Sequence, residues 1–164
     1  GKTTLFRLIV DMIEPDRGPP GVCAWTALRL GWVPADKVVE VARGTSRTVR
    51  LGALYDPEAK AAVVRVPLTS STGVLVENRQ PIGPDRNLPS HGVLISQFDD
   101  GVSECRNGET PVQLVVADPS VPELRGAPFT MSGRRRYDDP KKRLSVELLS
   151  QSGREIEIRV TRGR

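Results

Sequence analysis

The side chains best suited to chemistry fall between Gly73 and Asp100. Two short, β-branched apolar runs, Val74–Val76 and Val93–Ile95, flank a loop rich in proline, glycine, aspartate and asparagine. Runs of this length and type favour strands over helices. Polar side chains follow each run, so the two strands are expected to lead these groups to a common rim: Glu77, Asn78, Arg79, Asp85, Asp99 and Asp100.

Two kinds of structure would use these groups. Calcium binds several carboxylate and carbonyl oxygens at once, so Asp99, Asp100 and Asp85 form a candidate calcium site. In the alternative, the Glu77–Arg79 segment forms a structural rim, either as a salt-bridged clamp or by binding loop backbone, while Asp85 caps a turn.

The residue types that hydrolytic catalysis requires are largely missing. A zinc peptidase needs two histidines one helical turn apart with a neighbouring glutamate, H-E-x-x-H, and this chain has one histidine, His91. Cys23 and His91 lack an activating context for a thiol nucleophile, and no serine lies in a G-x-S-x-G turn. We therefore predict that the chain alone is catalytically inactive and that His91 is a turn residue.

The chain opens with Gly1-Lys2-Thr3-Thr4, followed by an apolar run, Leu5–Ile13, that is expected to be helical. In a complete phosphate loop, backbone N–H groups hold the phosphates, the lysine reaches the β- and γ-phosphates, and the threonine holds Mg²⁺. The segment resembles ATP-binding-cassette nucleotide-binding domains, which would give nucleotide-binding roles to Gly1, Lys2 and Thr3. The first glycine, the signature sequence and the Walker B strand are absent, so nucleotide binding is an alternative function.

Composition indicates one β-rich domain. The chain has 164 residues with 14 prolines and 15 glycines, and 4% of its residues are aromatic. Such a loop content suits many short strands better than a helical bundle. No apolar run approaches the roughly 18 residues of a membrane span, and no signal peptide is visible. The missing initial methionine leads us to expect a fragment, and Cys23 and Cys105 are equally compatible with a disulfide and with free thiols.

The net charge of +4 is concentrated near the end of the chain, where residues 134–164 carry ten basic and five acidic side chains. The clusters Arg134–Arg136 and Lys141–Arg143 would suit nucleic acid. However, Asp138 and Asp139 separate them, and only one aromatic residue lies nearby. We interpret the clusters as solvated loop, and we expect neither a nucleic-acid nor a membrane partner.

Apolar periodicity predicts a mainly β (α+β) fold, with short N-terminal helices followed by an antiparallel sheet or sandwich of about seven to eight strands. Residues 1–33 form the expected N-terminal helical segment. It includes a two-turn helix over Val22–Leu30, and both tryptophans of the segment are predicted to be buried in the core. Residues 34–164 form the β domain, and residues 120–140 are predicted to be irregular. Strands are predicted at the two runs above and at Lys37–Val41, Arg47–Leu54, Ala61–Val66, Pro111–Ala117, Leu144–Leu149 and Glu155–Thr161. A hairpin turn at Ser150–Gly153 is predicted to join the last two strands, and Tyr55–Glu58 is predicted to be a turn.

Two groups of residues carry a family resemblance. One is a Pro-Pro-x-x-x-Ala-Trp helix that leads into Leu-Gly-Trp. The other is a strand ending in Glu-Asn-Arg-Gln, then a Leu-Pro-x-x-Gly turn, and a second strand with aspartates. Together they resemble the immune-inhibitor-A-like family of secreted zinc metallopeptidases, although Ser96–Phe98 replaces the family's usual aromatic and histidine. The matching residues are Pro19, Pro20, Ala24, Trp25, Leu30, Gly31, Trp32, Glu77, Asn78, Arg79, Gln80, Asp85, Leu88, Pro89, Gly92, Leu94, Ile95, Asp99, Asp100 and Asp118.

The resemblance covers about residues 19–160 and implies a function for them. The chain would be the non-catalytic C-terminal β region of a secreted zinc metallopeptidase, completing and supporting the peptidase domain. Its partner would be the catalytic half of the same parent protein, which carries the zinc ligands that are absent here, and its location would be extracellular. The second alternative is a stand-alone β-sandwich binding module, and the sequence assigns no oligomeric state.

Overall fold

The computed structural model describes residues 21–102, 108–122 and 124–164, and this part of the chain is mainly β. One helix, α1 (Ala24–Arg29), precedes the strands, and short 3₁₀ turns lie at Ala35–Lys37 and Gly83–Asp85. The nine strands of the described residues are β1 (Val38–Glu40), β2 (Thr45–Leu51), β3 (Val63–Pro67), β4 (Thr72–Arg79), β5 (Gly92–Asp99), β6 (Val112–Val115), β7 (Arg136–Asp139), β8 (Leu144–Ser152) and β9 (Glu155–Arg162).

The strands form two sheets. A five-stranded sheet has the order β1-β3-β4-β5-β6, and a four-stranded sheet has the order β2-β9-β8-β7. Neighbouring strands are antiparallel except β1 and β3, which run parallel with Val38 opposite Val63. Between β1 and β3 the chain passes through β2 in the other sheet, and such a crossover is what a parallel pair requires.

The two sheets pack face to face around the main hydrophobic core. Because side chains alternate along a strand, every second side chain of β3, β4 and β5 points towards the four-stranded sheet. The apolar side chains of β8 and β9 point back and pack against them. Each buried valine or isoleucine contributes roughly 1.5–3 kcal/mol to folding. The buried members of this core from these five strands are Val64, Val66, Val74, Val76, Val93, Ile95, Leu144, Val146, Leu148, Ile156, Ile158 and Val160.

The opposite face of the five-stranded sheet is covered by α1, so that the described chain has three layers. Trp25 and Leu28 of the helix pack on Leu75 of β4 and Phe98 of β5. Gly73 lies directly opposite Phe98 in the ladder, and any side chain there would place its Cβ 2.6 Å from the Phe98 ring. The glycine therefore makes room for the aromatic ring under the helix.

The four-stranded sheet contains one strand that the sequence did not predict, β7. The segment containing it was interpreted as irregular, and Arg134–Arg136 as solvated loop, but Arg136 begins the strand. Tyr137 is its one buried side chain, and β7 is an edge strand with a single neighbour. A short edge strand needs few apolar residues, so apolar alternation does not detect it. The count of nine strands, rather than seven to eight, follows from this addition.

Three further expectations are corrected by the structure. The described residues contain one α-helix rather than several helices. The five-stranded sheet is mixed rather than purely antiparallel, because β1 and β3 are parallel. Trp32 is 56% exposed and therefore is not a core residue. The hairpin predicted between the last two strands is present, with its turn at Gly153 and Arg154, where Gly153 has φ +56°.

Candidate functional site: a buried carboxylate–guanidinium cluster

The polar ends of β4 and β5 lie at opposite ends of the five-stranded sheet. The strands are antiparallel, with Arg79 opposite Gly92 and with Asp99 at the far end of the ladder. Consecutive antiparallel strands necessarily carry their C-terminal ends in opposite directions. The common rim expected from the sequence therefore does not exist. Asp85 stays beside Arg79, whereas Asp99 and Asp100 lie a full strand length away.

The three carboxylates predicted to bind calcium do not form one ligand set. Asp99 Oδ1 accepts the N–H of Gly101 at 2.8 Å, which is a local turn contact. Asp100 Oδ1 accepts the indole Nε1–H of Trp25 at 2.9 Å, and Asp85 is buried against Arg79. Among residues 21–102, 108–122 and 124–164, no group of three or more His, Cys, Asp or Glu side chains is placed to hold a metal ion.

Three buried charged side chains meet at the other end of the sheet, and we call Glu77, Arg79 and Asp85 the Arg79 cluster. Their exposed fractions are 1%, 4% and 1%. Arg79 donates two parallel hydrogen bonds to Asp85, from Nε at 2.5 Å and from Nη2 at 2.6 Å. Its Nη1 also lies 3.5 Å from Glu77 Oε1. A bidentate guanidinium–carboxylate pair of this kind fixes both side chains in orientation.

The backbone that leads into α1 supplies the remaining hydrogen-bond partners of the Arg79 cluster. Arg79 Nη2 donates to the carbonyl of Gly21 at 2.7 Å, and the N–H of Gly21 donates to Asp85 Oδ1 at 3.0 Å. The N–H of Ala24 donates to Glu77 Oε2 at 2.5 Å. The cluster therefore holds the segment Gly21–Ala24, at the start of the helix, against the five-stranded sheet.

Tyr55 completes this contact and was not predicted from the sequence. Its hydroxyl donates to the carbonyl of Val22 at 2.7 Å, and the Arg79 guanidinium lies 5.7 Å from its ring centroid. A Cβ on Gly21 would collide with the ring, so glycine permits this close approach. The sequence placed Tyr55 in a turn by its Asp-Pro neighbours, and an aromatic residue in an otherwise polar turn was the available signal.

Burial governs the protonation of the Arg79 cluster. It raises the pKa of Glu77 to about 7, although Arg79 and the Ala24 N–H act in the opposite direction. Burial also raises the pKa of Tyr55 to about 12, against the effect of Arg79. Burial by itself would lower the pKa of Arg79, but its hydrogen bonds to Asp85 and the charge of Glu77 hold that pKa above its ordinary value. The Arg79 guanidinium therefore stays charged, and the Glu77 carboxyl gains or loses its proton near neutral pH.

Asn78 and Gln80 lie on the opposite face of β4, towards the four-stranded sheet. The Asn78 side-chain amide, which is fully buried, donates to the carbonyl of Leu51 at 3.0 Å and to that of Arg154 at 2.7 Å. Gln80 donates to Asn78 Oδ1 at 2.8 Å. Asn78 therefore ties β4 to the end of β2 and to the β8–β9 turn. The structure places Glu77, Asn78 and Arg79 in the interior rather than on a rim.

Replacing Asn78 by alanine is expected to lower the free energy of unfolding by about 2 kcal/mol. The buried carbonyl of Leu51 and the partly buried carbonyl of Arg154 would lose their donor, and an unsatisfied buried group costs about 1–3 kcal/mol. Urea denaturation followed by circular dichroism measures the effect. Gln113→Ala on β6 serves as the exposed control and should change stability by less than about 0.5 kcal/mol. Equal losses in the two variants would contradict a tie between the sheets.

Other residues singled out from the sequence take no part in this site. Cys23 is a free, partly buried cysteine whose Sγ lies 3.5 Å from the Thr26 hydroxyl, and Cys105 lies outside the described residues. His91 lies just before β5 in a non-helical segment, and its buried Nε2 has no hydrogen-bond partner in the part of the chain that the structure describes. The nucleotide-binding prediction at Gly1, Lys2 and Thr3, and the Leu5–Ile13 helix, also lie outside the described residues.

Two basic residues near the end of the chain, Arg136 and Arg159, are paired across the outer face of the four-stranded sheet. Glu147 of β8 lies 3.6 Å from Arg159 of β9 and 3.6 Å from Arg136 of β7. Arg136 also forms a bidentate pair with Asp138, at 2.7 Å and 2.8 Å. Cations and anions alternate across the strands, so this face is a solvated, internally compensated surface.

Comparisons with family models, with curated proteins and with solved structures gave no match. The resemblance to metallopeptidases therefore stays a prediction. Within the described ranges, no helix has both the length and the apolar character needed to cross a membrane.

The chemistry of the Arg79 cluster is that of a clamp. Its carboxylates and guanidinium bind one another and backbone amides, with no nucleophilic side chain within the set of contacts that the described residues make. A buried charge network whose hydrogen bonds are all satisfied is rigid and specifies one arrangement of the segments it joins. What this cluster can do is fix the conformation of the chain that enters α1.

Proposed function

We propose that this chain is the non-catalytic C-terminal β region of a secreted zinc metallopeptidase. Its role is to support the peptidase domain by fixing the polypeptide that enters the sandwich at Gly21. The single observation that carries the proposal is the Arg79 cluster, because its three buried charges bind the backbone of Gly21–Ala24 rather than leaving a vacant site. The zinc ligands belong to the catalytic half of the parent protein.

The energetics of buried charges favour a positioning role over a purely stabilising one. Replacing a buried ion pair by apolar side chains of similar volume is often neutral or stabilising, because desolvation offsets the Coulomb attraction. The Arg79 cluster instead makes hydrogen bonds to Gly21 and Ala24 that only one backbone conformation of the entering segment satisfies. Each such bond to a charged group contributes about 1.5–3 kcal/mol. The cluster thus fixes the backbone conformation of Gly21–Ala24.

The surfaces of the two outer layers differ in a way that supports this assignment. The four-stranded sheet presents alternating charges to solvent, which suits a free face. The end of α1 instead exposes Leu30 at 49% and Trp32 at 56%. Exposed large apolar side chains are candidate contacts for a partner protein. The catalytic half of the parent protein would pack on this side.

A stand-alone β-sandwich binding module is the second candidate. It is favoured by an open groove of about 750 Å³ at the end of β4 and β5 opposite the Arg79 cluster, lined in part by Thr72, Gln97, Asp99 and Glu109. Saturable binding of one glycan or peptide to the isolated chain, lost in Gln97→Ala, would favour it. Nucleotide binding would require magnesium-dependent ATP binding that is lost in Lys2→Ala.

Two experiments test the proposed function. One sequences the transcript upstream of the codon for Gly1, and the other assays the purified chain for peptidase activity. We expect the reading frame to continue upstream into a sequence with H-E-x-x-H, and the purified chain alone to leave casein uncleaved in the presence of zinc. In the full parent protein, Arg79→Met should reduce peptidase activity, while Arg159→Met on the outer sheet should not. Zinc-dependent proteolysis by this chain alone, or an intact Walker A sequence upstream, would overturn the proposal.

A further inference from the structure

A small hollow lies between α1 and the five-stranded sheet, next to the Arg79 cluster, because its lining residue Leu75 is two residues from Glu77 on the same face of β4. Its volume is about 210 Å³. The helix contributes residues at positions i, i+3 and i+4, which share one helical face, and β3, β4 and β5 contribute one side chain each. The lining residues are Trp25, Leu28, Arg29, Arg65, Leu75, Phe98 and Asp100.

Arg65 is the residue in this hollow whose Nε finds no hydrogen-bond acceptor among the described residues. Its guanidinium lies 5.5 Å from the ring centroid of Phe98, so the aromatic face holds it on the sheet. Its Nε is buried, yet it has no hydrogen-bond acceptor among the described residues. Glu40 is its register partner on β1, but no ion pair joins these two side chains in the part of the chain described. Leaving a buried donor unpaired is unfavourable.

The carboxylate of the hollow is already committed to other groups. Asp100 Oδ1 accepts hydrogen bonds from Trp25 Nε1 at 2.9 Å and from Arg29 Nη1 at 3.3 Å. The Arg29 guanidinium also lies 4.7 Å from the Trp25 ring centroid. The lining therefore contains two guanidinium groups and one carboxylate, and the charge of Arg65 is left over. Among the residues that the structure describes, the lining of the hollow is one negative charge short of neutrality.

The remaining walls define the rest of the ligand. Leu28, Leu75, Phe98 and Trp25 provide apolar and aromatic surface. Pockets for drug-sized ligands begin at roughly 300 Å³, so a hollow of about 210 Å³ admits only a fragment-sized group. One uncompensated positive charge suits a monoanion, because a phosphate dianion would bring a second charge and a hydration shell that apolar walls do not replace.

We propose that this hollow binds an apolar monocarboxylate, with its carboxylate on Arg65 and its hydrocarbon part between Leu28 and Phe98. The same chemistry is presented by a free aryl- or alkyl-carboxylate and by the C-terminal residue of a peptide. No member of the Arg79 cluster lines the hollow, and the proposal does not depend on the function proposed for the whole chain.

Matched acids and amides test this proposal on the purified full chain. The probes are 3-phenylpropionate and its neutral amide for a free carboxylate, and N-acetyl-leucine and its amide for a peptide terminus. The Trp32→Phe background leaves Trp25, which lines the hollow, as the fluorescent reporter. We expect the acids to bind with a Kd of about 1 mM and the amides at least about tenfold more weakly, since a charge-assisted hydrogen bond is roughly twice as strong as a neutral one. Calorimetry provides the independent readout.

Two substitutions should move the affinity in opposite directions. Arg65→Met keeps the aliphatic stem on Phe98 and removes the charge, so the Kd for the acid should rise about tenfold or more. Asp100→Asn keeps an acceptor for Trp25 and removes the competing negative charge, so the acid should bind more tightly. Arg159→Met, an arginine on the outer face of the other sheet, is the matched control and should leave the Kd unchanged. Circular dichroism verifies that each variant is folded.

The outcomes separate the sources and decide the proposal. Preference for N-acetyl-leucine over its amide assigns the site to a peptide terminus, and preference confined to 3-phenylpropionate assigns it to a free carboxylate. Equal binding of acid and amide would overturn the proposal. Equal effects of Arg65→Met and Arg159→Met, or binding of inorganic phosphate as tight as that of the acids, would do so as well.

Discussion

Replacing Arg79 by methionine is expected to lower the free energy of unfolding by about 3–5 kcal/mol. The substitution preserves much of the side-chain volume but leaves Asp85 and Glu77, each 1% exposed, without their cation. Removing one partner of a buried ion pair costs about 3–5 kcal/mol because the remaining charge is buried without compensation. The carbonyl of Gly21 also loses its donor. Guanidinium chloride denaturation measures the loss, which is a large fraction of the stability of a domain of this size.

Two controls separate the buried network from a general effect of losing an arginine. Arg159→Met removes a pair with Glu147 on the exposed sheet face, and such surface pairs contribute about 0–1 kcal/mol. The double variant Arg79→Met with Asp85→Asn removes both sides of the bidentate pair. It should recover at least about 1 kcal/mol relative to the sum of the single losses, because residues in one network are not additive. Strict additivity would show that Arg79 and Asp85 do not act together.

The rate at which the amide hydrogens of α1 exchange with solvent should report locally on the Arg79 cluster. The cluster binds the backbone of Gly21–Ala24 at the start of α1, so in Arg79→Met the amides of this helix should exchange with solvent faster than those of β8 and β9. Local opening of this kind has its own free energy, distinct from global unfolding. Hydrogen exchange thus distinguishes a clamp on the entering chain from a contribution spread over the whole sandwich.

The strands were largely predictable because their cause is local. Ile156, Ile158 and Val160 alternate with polar neighbours, and Val64 and Val66 lie on either side of Arg65. These positions form the core between the sheets. Alternation with period two is a property of the sequence itself. The turn at Gly153 was predictable for the same reason, since only its immediate neighbours decide the backbone conformation there.

The site was predictable in its residues but not in its location. Glu77 and Arg79 were chosen as ionisable groups that follow an apolar run, and a charged residue after a strand is usually exposed. Both are buried because α1 covers that face of β4 and its leading segment supplies hydrogen-bond partners. This covering depends on contacts across more than fifty residues, which no local pattern encodes. The strand direction that separates Asp85 from Asp99 is likewise a tertiary property.

The pH dependence of stability is expected to have an unusual sign because of Glu77. Burial raises the pKa of this group from 4.5 to about 7, so between these values the folded protein binds more protons than the unfolded chain. The stabilising contribution is fully present below pH 4.5 and is lost as the pH rises through about 7. Its size is on the order of 3 kcal/mol. An ordinary paired carboxylate, whose pKa is lowered, would change stability in the opposite direction.

Glu77→Gln isolates this contribution. Glutamine keeps the shape and an oxygen for the Ala24 N–H, but it does not titrate, so the variant should match the wild type near pH 5 and exceed it in stability at pH 8. Denaturant titrations at pH 5, 6, 7 and 8 give the difference in free energy of unfolding between the variant and the wild type. The contributions of all other titrating groups are common to both proteins and cancel from this difference. Glu58→Gln, at an exposed turn position, should run parallel to the wild type throughout. A Glu77→Gln curve equally parallel to the wild type would show that Glu77 stays ionised in the folded state, held by Arg79.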